Sequence, residues 1–238
     1  MSSDLMLKNN PIILALDTCT ESCSAALLVN GQVYAQQADA PREHSQRLLP
    51  MVQTVLQQAN ITLADVDVIA YGRGPGSFTG IRICTSMTQG LALGQDIPVV
   101  GISTLAAMAQ IAIDAGSSQV IAAIDARMGE VYSGQYVSKQ GVATLVAAEQ
   151  VSVPQDVVLQ LSEQQTVSGC GTGFDAYPEL LTLTANIEMV PSAKFPTAAA
   201  MITIAKKAIA NGEATSVDEL SPVYLRDTVT WKKLPGRE

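Results

Sequence analysis

The sequence predicts an α/β protein made of two similar halves. Hydrophobic residues account for 47% of its 238 residues but aromatic residues for only 4%, so the core must be built from Ala, Val, Ile and Leu, as in sheets covered by helices. In addition, the pattern strand, Asp, short turn, strand, Gly turn, strand occurs twice, from Asp17 to Gly31 and from Asp125 to Gly141. The repeat predicts an internal duplication with lobes at residues 1–115 and 116–238, although two unrelated hairpins could resemble each other by chance.

The first half predicts three antiparallel strands followed by alternating helices and strands. Asn30-Gly31 is typical of a tight hairpin turn, and the helix after Pro41 carries its apolar residues on one wide face. Ser77 is the expected N-cap of a helix that follows a Gly-rich loop. The predicted strands cover residues 12–18, 24–29, 33–38, 66–71 and 99–102, and the predicted helices cover 41–60, 77–93 and 103–115.

The second half predicts a weaker copy of the same order. Gln140-Gly141 is its expected hairpin turn. The predicted strands cover residues 120–125, 131–137, 142–147, 166–170 and 187–190, and helices are expected from Pro154, from Phe174 and over 197–210.

Composition and charge exclude several classes of function. The net charge is −8, and basic residues cluster only near the C-terminus, at Arg226, Lys232, Lys233 and Arg237. An isolated chain of this charge repels phosphate backbones, so another subunit would have to provide most of the binding affinity for any RNA. No uncharged apolar stretch reaches the roughly 18 to 20 residues that span a membrane, and the N-terminus lacks the features of a secretion signal, so we expect a cytoplasmic protein without membrane contact.

Several motifs carry a resemblance to a known family. In chain order they read ILALDTCTESCSAALLVNGQVYAQ, PREHSQRLLPMV, AYGRGPGSFTGIRI, IAAIDARMGEVYSGQY and PVYLR. Together they resemble the TsaB (YeaZ) family of bacterial tRNA threonylcarbamoyladenosine proteins over nearly the whole chain. The resemblance implies the duplicated actin/Hsp70/sugar-kinase fold, in agreement with the repeat.

The resemblance also implies a function and partners. It suggests a non-catalytic subunit that binds the catalytic paralogue TsaD, which modifies the adenosine 3′ of the anticodon in tRNAs that read codons beginning with A. A TsaE-type ATPase would join the pair, tRNA would be bound only through the complex, and the chain alone would form a homodimer through the same surface. No cofactor is expected beyond weak ATP or ADP binding at the level of the complex. The alternative is a stand-alone ATP-binding enzyme or metallohydrolase of the same superfamily.

A vestigial nucleotide site is one interpretation of the residues that follow the first strand of each half. Catalytic relatives of the fold hold phosphate and metal there, and the corresponding residues are Asp17, Thr18, Thr20 and Asp125. The other interpretation is that each Asp caps its hairpin. The turns are not Gly-rich and Glu21 would repel a phosphate, which favours the second interpretation.

Catalytic and metal sites are not expected. The resemblance places Thr104 and Met108 where the paralogue has two metal-binding histidines, and neither residue is a strong ligand. The four cysteines form no CxxC pair and are expected to be reduced core residues. His44, the single histidine, lacks an accompanying nucleophile elbow, because Pro75 stands where G-x-S-x-G requires glycine. An interface or capping role is therefore favoured over that of a general base.

The Gly-rich loop and two apolar helices are the remaining candidates. Gly72, Gly74 and Gly76 before a helix could form an anion site with Arg73 or Arg82, or could simply allow a tight crossover. The wide apolar faces of the first two helices predict a combined role in the core and at a partner interface. The predicted interface residues are His44, Leu48, Leu49, Val52, Leu56, Arg73, Ser77, Phe78, Ile81 and Arg82.

Overall fold

The computed structural model of the protein describes residues 10–226. The predicted basic residues Lys232, Lys233 and Arg237 lie outside this range. Within it, no helix is long and apolar enough to cross a membrane.

Lobe I contains the first five-stranded sheet, in the order β3-β2-β1-β4-β5. β1 pairs antiparallel with β2 and parallel with β4, so the chain opens with a meander and continues with crossovers. The elements up to the second sheet are β1 (Ile13–Asp17), β2 (Ser22–Val29), β3 (Gln32–Asp39), α1 (His44–Gln58), β4 (Val68–Gly74), α2 (Phe78–Leu93), β5 (Val99–Ser103) and α3 (Thr104–Asp114).

Lobe II repeats this topology. Its sheet has the order β10-β9-β6-β7-β8, with β6 in the place of β1, antiparallel to β7 and parallel to β9. The predicted duplication is therefore confirmed at the level of strand order and direction. The elements are β6 (Gln119–Arg127), β7 (Glu130–Lys139), β8 (Val142–Ser152), β9 (Val167–Cys170), α4 (Gly173–Ala176), β10 (Ile187–Met189) and α5 (Ala198–Ala210).

The two hairpin turns adopt the backbone conformation that their sequences predict. Asn30 and Gly31 have φ values of 50° and 82°, and Gln140 and Gly141 have values of 55° and 77°. Two successive residues with positive φ match the right-handed twist of the flanking strands. These turns fix the register of β2 with β3 and of β7 with β8.

The lobe boundary predicted between residues 115 and 116 separates the sheets but not the helices. α3 precedes the boundary, yet its Leu105 and Met108 pack with Val120 and Tyr136 of the second sheet. α5 follows it, yet its residues pack against Ile13, Ala15 and their neighbours in the first sheet. Because each lobe takes a covering helix from the other half of the sequence, neither range in the prediction is a separate structural unit.

Two predicted helices of the second half are corrected by the structure. The segment from Pro154 forms only a single 3₁₀ turn, Pro154–Asp156. Gln135 of β7 donates to the carbonyl of Val158 at 2.7 Å and accepts from the backbone N–H of Gln160 at 2.7 Å, so both backbone groups are used outside a helix. The helix expected from Phe174 is the four-residue α4, followed by a 3₁₀ segment, Pro178–Thr182.

Candidate functional site: a closed cleft and an exposed helix groove

Asp17, at the end of β1, is buried in the interior of lobe I. Its carboxylate is 1% exposed; Oδ1 accepts from the backbone N–H of Cys19 at 3.1 Å. Oδ2 has no hydrogen-bond partner within residues 10–226. Burial raises the pKa of Asp17 to about 7, although the hydrogen bonds from Cys19 act in the opposite direction. The side chain thus carries a proton more readily than an exposed carboxylate does.

The Gly-rich segment and the start of α2 pack directly on Asp17 and on the turn that follows it. A Cβ atom on Gly72 would lie 2.0 Å from Oδ2 of Asp17, and one on Gly76 would lie 2.2 Å from the Cys19 carbonyl oxygen. The backbone N–H of Ser77 donates to that same carbonyl at 2.7 Å. The glycines therefore allow a close crossover, and the backbone N–H of the N-cap residue of α2 is already used within the chain.

Thr18 and Thr20 also use their hydroxyl groups within the chain. Thr18 is fully buried and donates to the carbonyl oxygen of Gly80 at 2.7 Å. Thr20 accepts from the backbone N–H of Ser22 at 3.3 Å. Both contacts fix the turn after β1 to its neighbours, which agrees with a structural role for the predicted nucleotide positions.

Asp125 occupies the equivalent place in lobe II but is neutralised by an ion pair. Its Oδ2 lies 2.8 Å from Nη1 of Arg127, and its Oδ1 accepts from the Arg127 backbone N–H at 2.8 Å and from the Tyr177 hydroxyl at 3.1 Å. Arg127 also reaches across to Glu21 of lobe I, with 3.5 Å between Nη2 and Oε1. Asp125 therefore orders the β6–β7 turn, as the capping interpretation predicts.

The positions that correspond to the paralogue's metal ligands lie inside the core. Thr104 and Met108 are both fully buried on α3, and the methyl group of Met108 lies 2.4 Å from where a Cβ on Gly171 would stand. Within residues 10–226, no three His, Cys, Asp or Glu side chains are placed to hold a metal ion.

The cysteines and the histidine have structural contacts. All four cysteines are free and buried. Hydrogen bonding with Cys84, burial and the neighbouring Asp17 raise the pKa of the Cys19 thiol well above its usual range, so this thiol is a poor nucleophile. His44 is 9% exposed, and its Nε2 lies 2.8 Å from the carbonyl oxygen of Thr20. That contact ties the start of α1 to the β1–β2 turn.

Four residues predicted at a partner interface face the protein's own interior, which corrects the prediction for them. Leu48, Val52 and Ile81 are 0%, 2% and 1% exposed and belong to the core of lobe I, and His44 is buried as described. Their helical spacing places them on the inner faces of α1 and α2. Of the other predicted residues, Leu49, Ser77, Phe78 and Arg82 are exposed, whereas Leu56 and Arg73 are half-buried.

Two of the exposed residues, Phe78 and Arg82, line a groove between the start of α1 and α2. We call this feature the α1–α2 groove, with a volume of about 450 Å³ and a lining of Ser45, Phe78, Thr79, Arg82, Ile83, Ser86 and Met87. Phe78 is 56% exposed, and the Arg82 guanidinium carbon lies 3.8 Å from the centre of its ring. A large exposed apolar side chain covered by an arginine is a common composition of protein interfaces.

Sequence reasoning missed Tyr224, which extends this surface. Its ring lies 5.6 Å from the Phe78 ring, centre to centre, and is 39% exposed. The residues are 146 positions apart in the chain, so no local periodicity could pair them. The signal available was that PVYLR, which includes Tyr224, is one of the motifs shared with the family.

The chain is similar to known proteins over nearly its whole length. It is 47% identical over 95% of its length, and 99% of the relative's, to the "tRNA threonylcarbamoyladenosine biosynthesis protein TsaB" of Escherichia coli, and 41% identical over 96% of its length, and 99% of the relative's, to the Haemophilus influenzae protein of the same name. The solved structure of YeaZ from Pseudomonas aeruginosa matches 90% of this chain and all of its own, with a TM-score of 0.85 and 41% identity. The chain belongs to the TsaB (YeaZ) family.

A sequence model described as "TsaD: tRNA N6-adenosine threonylcarbamoyltransferase" also matches residues 30–234. This chain is therefore also similar in sequence to that transferase family over most of its length. The two matched sheets and the agreement with YeaZ confirm the duplicated actin/Hsp70-type fold that the sequence predicts.

Proposed function

We propose that the chain is a non-catalytic subunit in tRNA threonylcarbamoyladenosine biosynthesis, which binds a TsaD-type catalytic paralogue through the α1–α2 groove. The pathway follows from membership of the TsaB family. The match of this chain to the TsaD family model supports a partner of the same fold, since a chain of similar fold can offer an equivalent surface for pairing.

The observation that carries the proposal is the contrast between the two faces of lobe I. On the inner side, Gly72 packs on Asp17 and Gly76 on Cys19 so closely that a Cβ on either glycine would lie within 2.2 Å of them. On the outer side, Phe78 presents an apolar ring to solvent at the edge of a groove. Lobe I thus offers an exposed apolar surface to a partner on its outer side, whereas the turn after β1 leaves no space for a nucleotide.

This geometry also counts against a stand-alone ATP-binding enzyme or metallohydrolase. A triphosphate would have to displace the Ser77 N–H from the Cys19 carbonyl oxygen, and a magnesium ion bound with it would require the buried Asp17 carboxyl to ionise. Neither change comes with a compensating basic side chain in the turn, where Glu21 stands instead.

The remaining parts of the proposal concern the assembly. The TsaE-type ATPase joins the heterodimer, the chain alone forms a homodimer through the same groove, and weak ATP or ADP binding is confined to the complex. tRNA is bound mainly by the other subunits, since a net charge of −8 opposes direct binding. The chain acts in the cytoplasm, with no cofactor of its own.

A reconstituted transfer reaction tests the proposal. With a TsaD-type protein, a TsaE-type ATPase, threonylcarbamoyl adenylate and tRNA present, we expect omission of this chain to reduce transfer at least tenfold. Phe78→Glu should weaken binding of the TsaD-type protein by about 2 kcal/mol or more, the range of a central interface residue, and reduce transfer in parallel.

The matched control is Val158→Glu. Val158 is 63% exposed, comparable to Phe78, but belongs to lobe II. Undiminished transfer without the chain would overturn the proposed function. Equal loss of binding in the two Glu variants would instead remove the α1–α2 groove as the docking site.

A further inference from the structure

The segment that follows the last helix crosses from lobe I to lobe II, and we call it the strap (residues 221–226). Before it, the chain returns to lobe I, where Thr215 exchanges two backbone hydrogen bonds with Val99, each 2.9 Å, and Val217 joins the first core. The chain that leads into the strap is therefore attached to lobe I.

Its first half is anchored on the Gly-rich loop of lobe I. The Tyr71 hydroxyl accepts from the backbone N–H of Ser221 and donates to the Ser221 carbonyl oxygen, each at 3.2 Å. The backbone N–H of Val223 donates to the carbonyl oxygen of Arg73 at 2.7 Å. A Cβ on Gly74 would lie 2.6 Å from the Val223 carbonyl oxygen, so the loop and the strap are in direct backbone contact.

The middle of the strap reaches the α1–α2 groove. Tyr224 stacks at a tilt of 44° on Phe78, and both rings remain partly exposed. A partner that covers Phe78 would therefore also touch the strap.

Its end is anchored on the β6–β7 turn of lobe II. The Arg226 guanidinium binds the Glu130 carboxylate through Nε at 3.0 Å and through Nη2. Nη2 also donates to the Arg127 carbonyl oxygen at 3.3 Å. The Arg226 side chain is 18% exposed, which makes this ion pair less screened than a fully exposed one.

The turn that Arg226 contacts is strained. Arg127 and Met128 have φ values of 63° and 60°, a region that side chains other than glycine rarely occupy, at a cost of the order of 1 kcal/mol or more for each residue. A turn of this kind persists because neighbouring residues stabilise it. Here the Arg226 contacts and the ion pair between Arg127 and Asp125 stabilise the turn.

We propose that the strap couples the α1–α2 groove to the β6–β7 turn, so that docking at Phe78 and Tyr224 stabilises the contact between the lobes. This inference rests on the proposed function for the identity of the docked partner, but the coupling belongs to the free chain as well. Because coupling is reciprocal, loss of the Arg226 contacts should weaken docking.

Hydrogen exchange of the full-length free chain tests the coupling without any partner. Tyr224→Ala removes the ring contact in lobe I, and we expect exchange of the peptide covering residues 127–131 in lobe II to become at least threefold faster. Tyr224→Phe keeps the ring and should match the wild type. Arg226→Ala should give the faster exchange directly, and adding Tyr224→Ala to it should have no further effect.

Lys194→Ala is the control for loss of a surface ion pair, since Lys194 binds Asp175 at 2.9 Å elsewhere in lobe II. It should leave exchange at 127–131 unchanged. Unaltered exchange at 127–131 in Tyr224→Ala, or additive effects in the double variant, would overturn the coupling while leaving the docking proposal intact.

Addition of the TsaD-type protein separates the two proposals. We expect slower exchange at 127–131 in the wild type and affinity about fivefold weaker in Arg226→Ala, within the usual range of coupling between sites. Binding of the TsaD-type protein without any change in hydrogen exchange at residues 127–131 would contradict the proposed coupling through the strap. Absence of binding by the wild type would contradict the proposed function, whereas the free-chain result would still decide the coupling.

Discussion

Replacement of Asp17 by Asn should remove a pH dependence of stability that the wild type carries near neutrality. Asp17 is 1% exposed, and burial raises its pKa from 3.8 to about 7. Asn has the same shape and keeps an oxygen that can accept from the Cys19 N–H, as Oδ1 of Asp17 does. The variant therefore tests the ionisation rather than the packing.

The direction and size of the effect follow from the raised pKa. Below about pH 4 the carboxyl is protonated in both the folded and the unfolded state, and it imposes no ionisation penalty. Between about pH 4 and pH 7 the protein loses that stability, because the unfolded state ionises freely while the buried carboxyl stays protonated; above pH 7 both states are ionised and the loss is complete. With a difference of about 3 pKa units and about 1.36 kcal/mol for each, the total loss is about 4 kcal/mol, of which about 2 to 3 kcal/mol falls between pH 5 and pH 8.

Urea denaturation at pH 5, 6, 7 and 8 measures this loss. We expect the free energy of unfolding of Asp17→Asn minus that of the wild type to increase by about 2 to 3 kcal/mol across the range. Other titrating groups are common to both proteins and cancel in the difference. Asp96→Asn is the control, because Asp96 is exposed and its φ of 53° suits Asn. A constant difference between Asp17→Asn and the wild type would refute the assignment of a buried, protonated Asp17.

Three further predictions concern packing and ligands. Gly76→Ala should lower the free energy of unfolding by more than about 2 kcal/mol, since its Cβ would lie 2.2 Å from the Cys19 carbonyl oxygen. Gly90→Ala, whose Cβ would have nothing within 4 Å, should raise the free energy of unfolding by about 0.5 to 1 kcal/mol. Urea denaturation measures both changes. Leu48→Ala should cost about 2 to 5 kcal/mol and Leu49→Ala less than about 1 kcal/mol, because the two side chains are 0% and 39% exposed; similar losses in the two would contradict the assigned helix face. Calorimetry of the isolated chain with ATP and Mg²⁺ should show no binding at millimolar concentrations, and tight binding with turnover would favour the stand-alone enzyme.

Local sequence signals were sufficient for most of lobe I. Its strands are short and bounded by turn residues, and Ser77 is the N-cap that the sequence predicts, since its hydroxyl accepts from the Gly80 N–H at 3.3 Å. In lobe II, by contrast, the apolar spacing after Pro154 resembles a helix. The Gln135 side chain instead binds that segment in an extended form. A contact from a distant strand overrides local propensity, and no window of the sequence contains both partners.

Prediction of the partner surface from the sequence was limited in the same way. The wide apolar faces of α1 and α2 predicted an interface, and periodicity placed Leu48 on the main apolar face of α1 with Leu49 beside it, but it could not say which part of the wide face would be covered by the chain's own sheet. The position of the sheet decides this, since Leu48 packs with Leu14 and Leu27 in the first core. The exchange of α3 and α5 between the lobes was equally hidden, because it depends on which sheet each helix covers and not on where it falls in the chain.

The duplicated lobes show why the two aspartates differ although they occupy equivalent strands. In each lobe a glycine at or just after the end of the fourth strand packs on the first: a Cβ on Gly72 would meet Asp17 in lobe I, and one on Gly171 would lie 2.1 Å from the Ala123 carbonyl oxygen in lobe II. In lobe I the loop continues into the sixteen-residue α2, whose start covers the β1–β2 turn. In lobe II it continues into a helix of only four residues, and Asp125 remains partly accessible to Arg127. The two aspartates therefore differ through their immediate contacts: Asp17 lies under Gly72, with one oxygen unpaired, whereas Asp125 binds Arg127 and Tyr177.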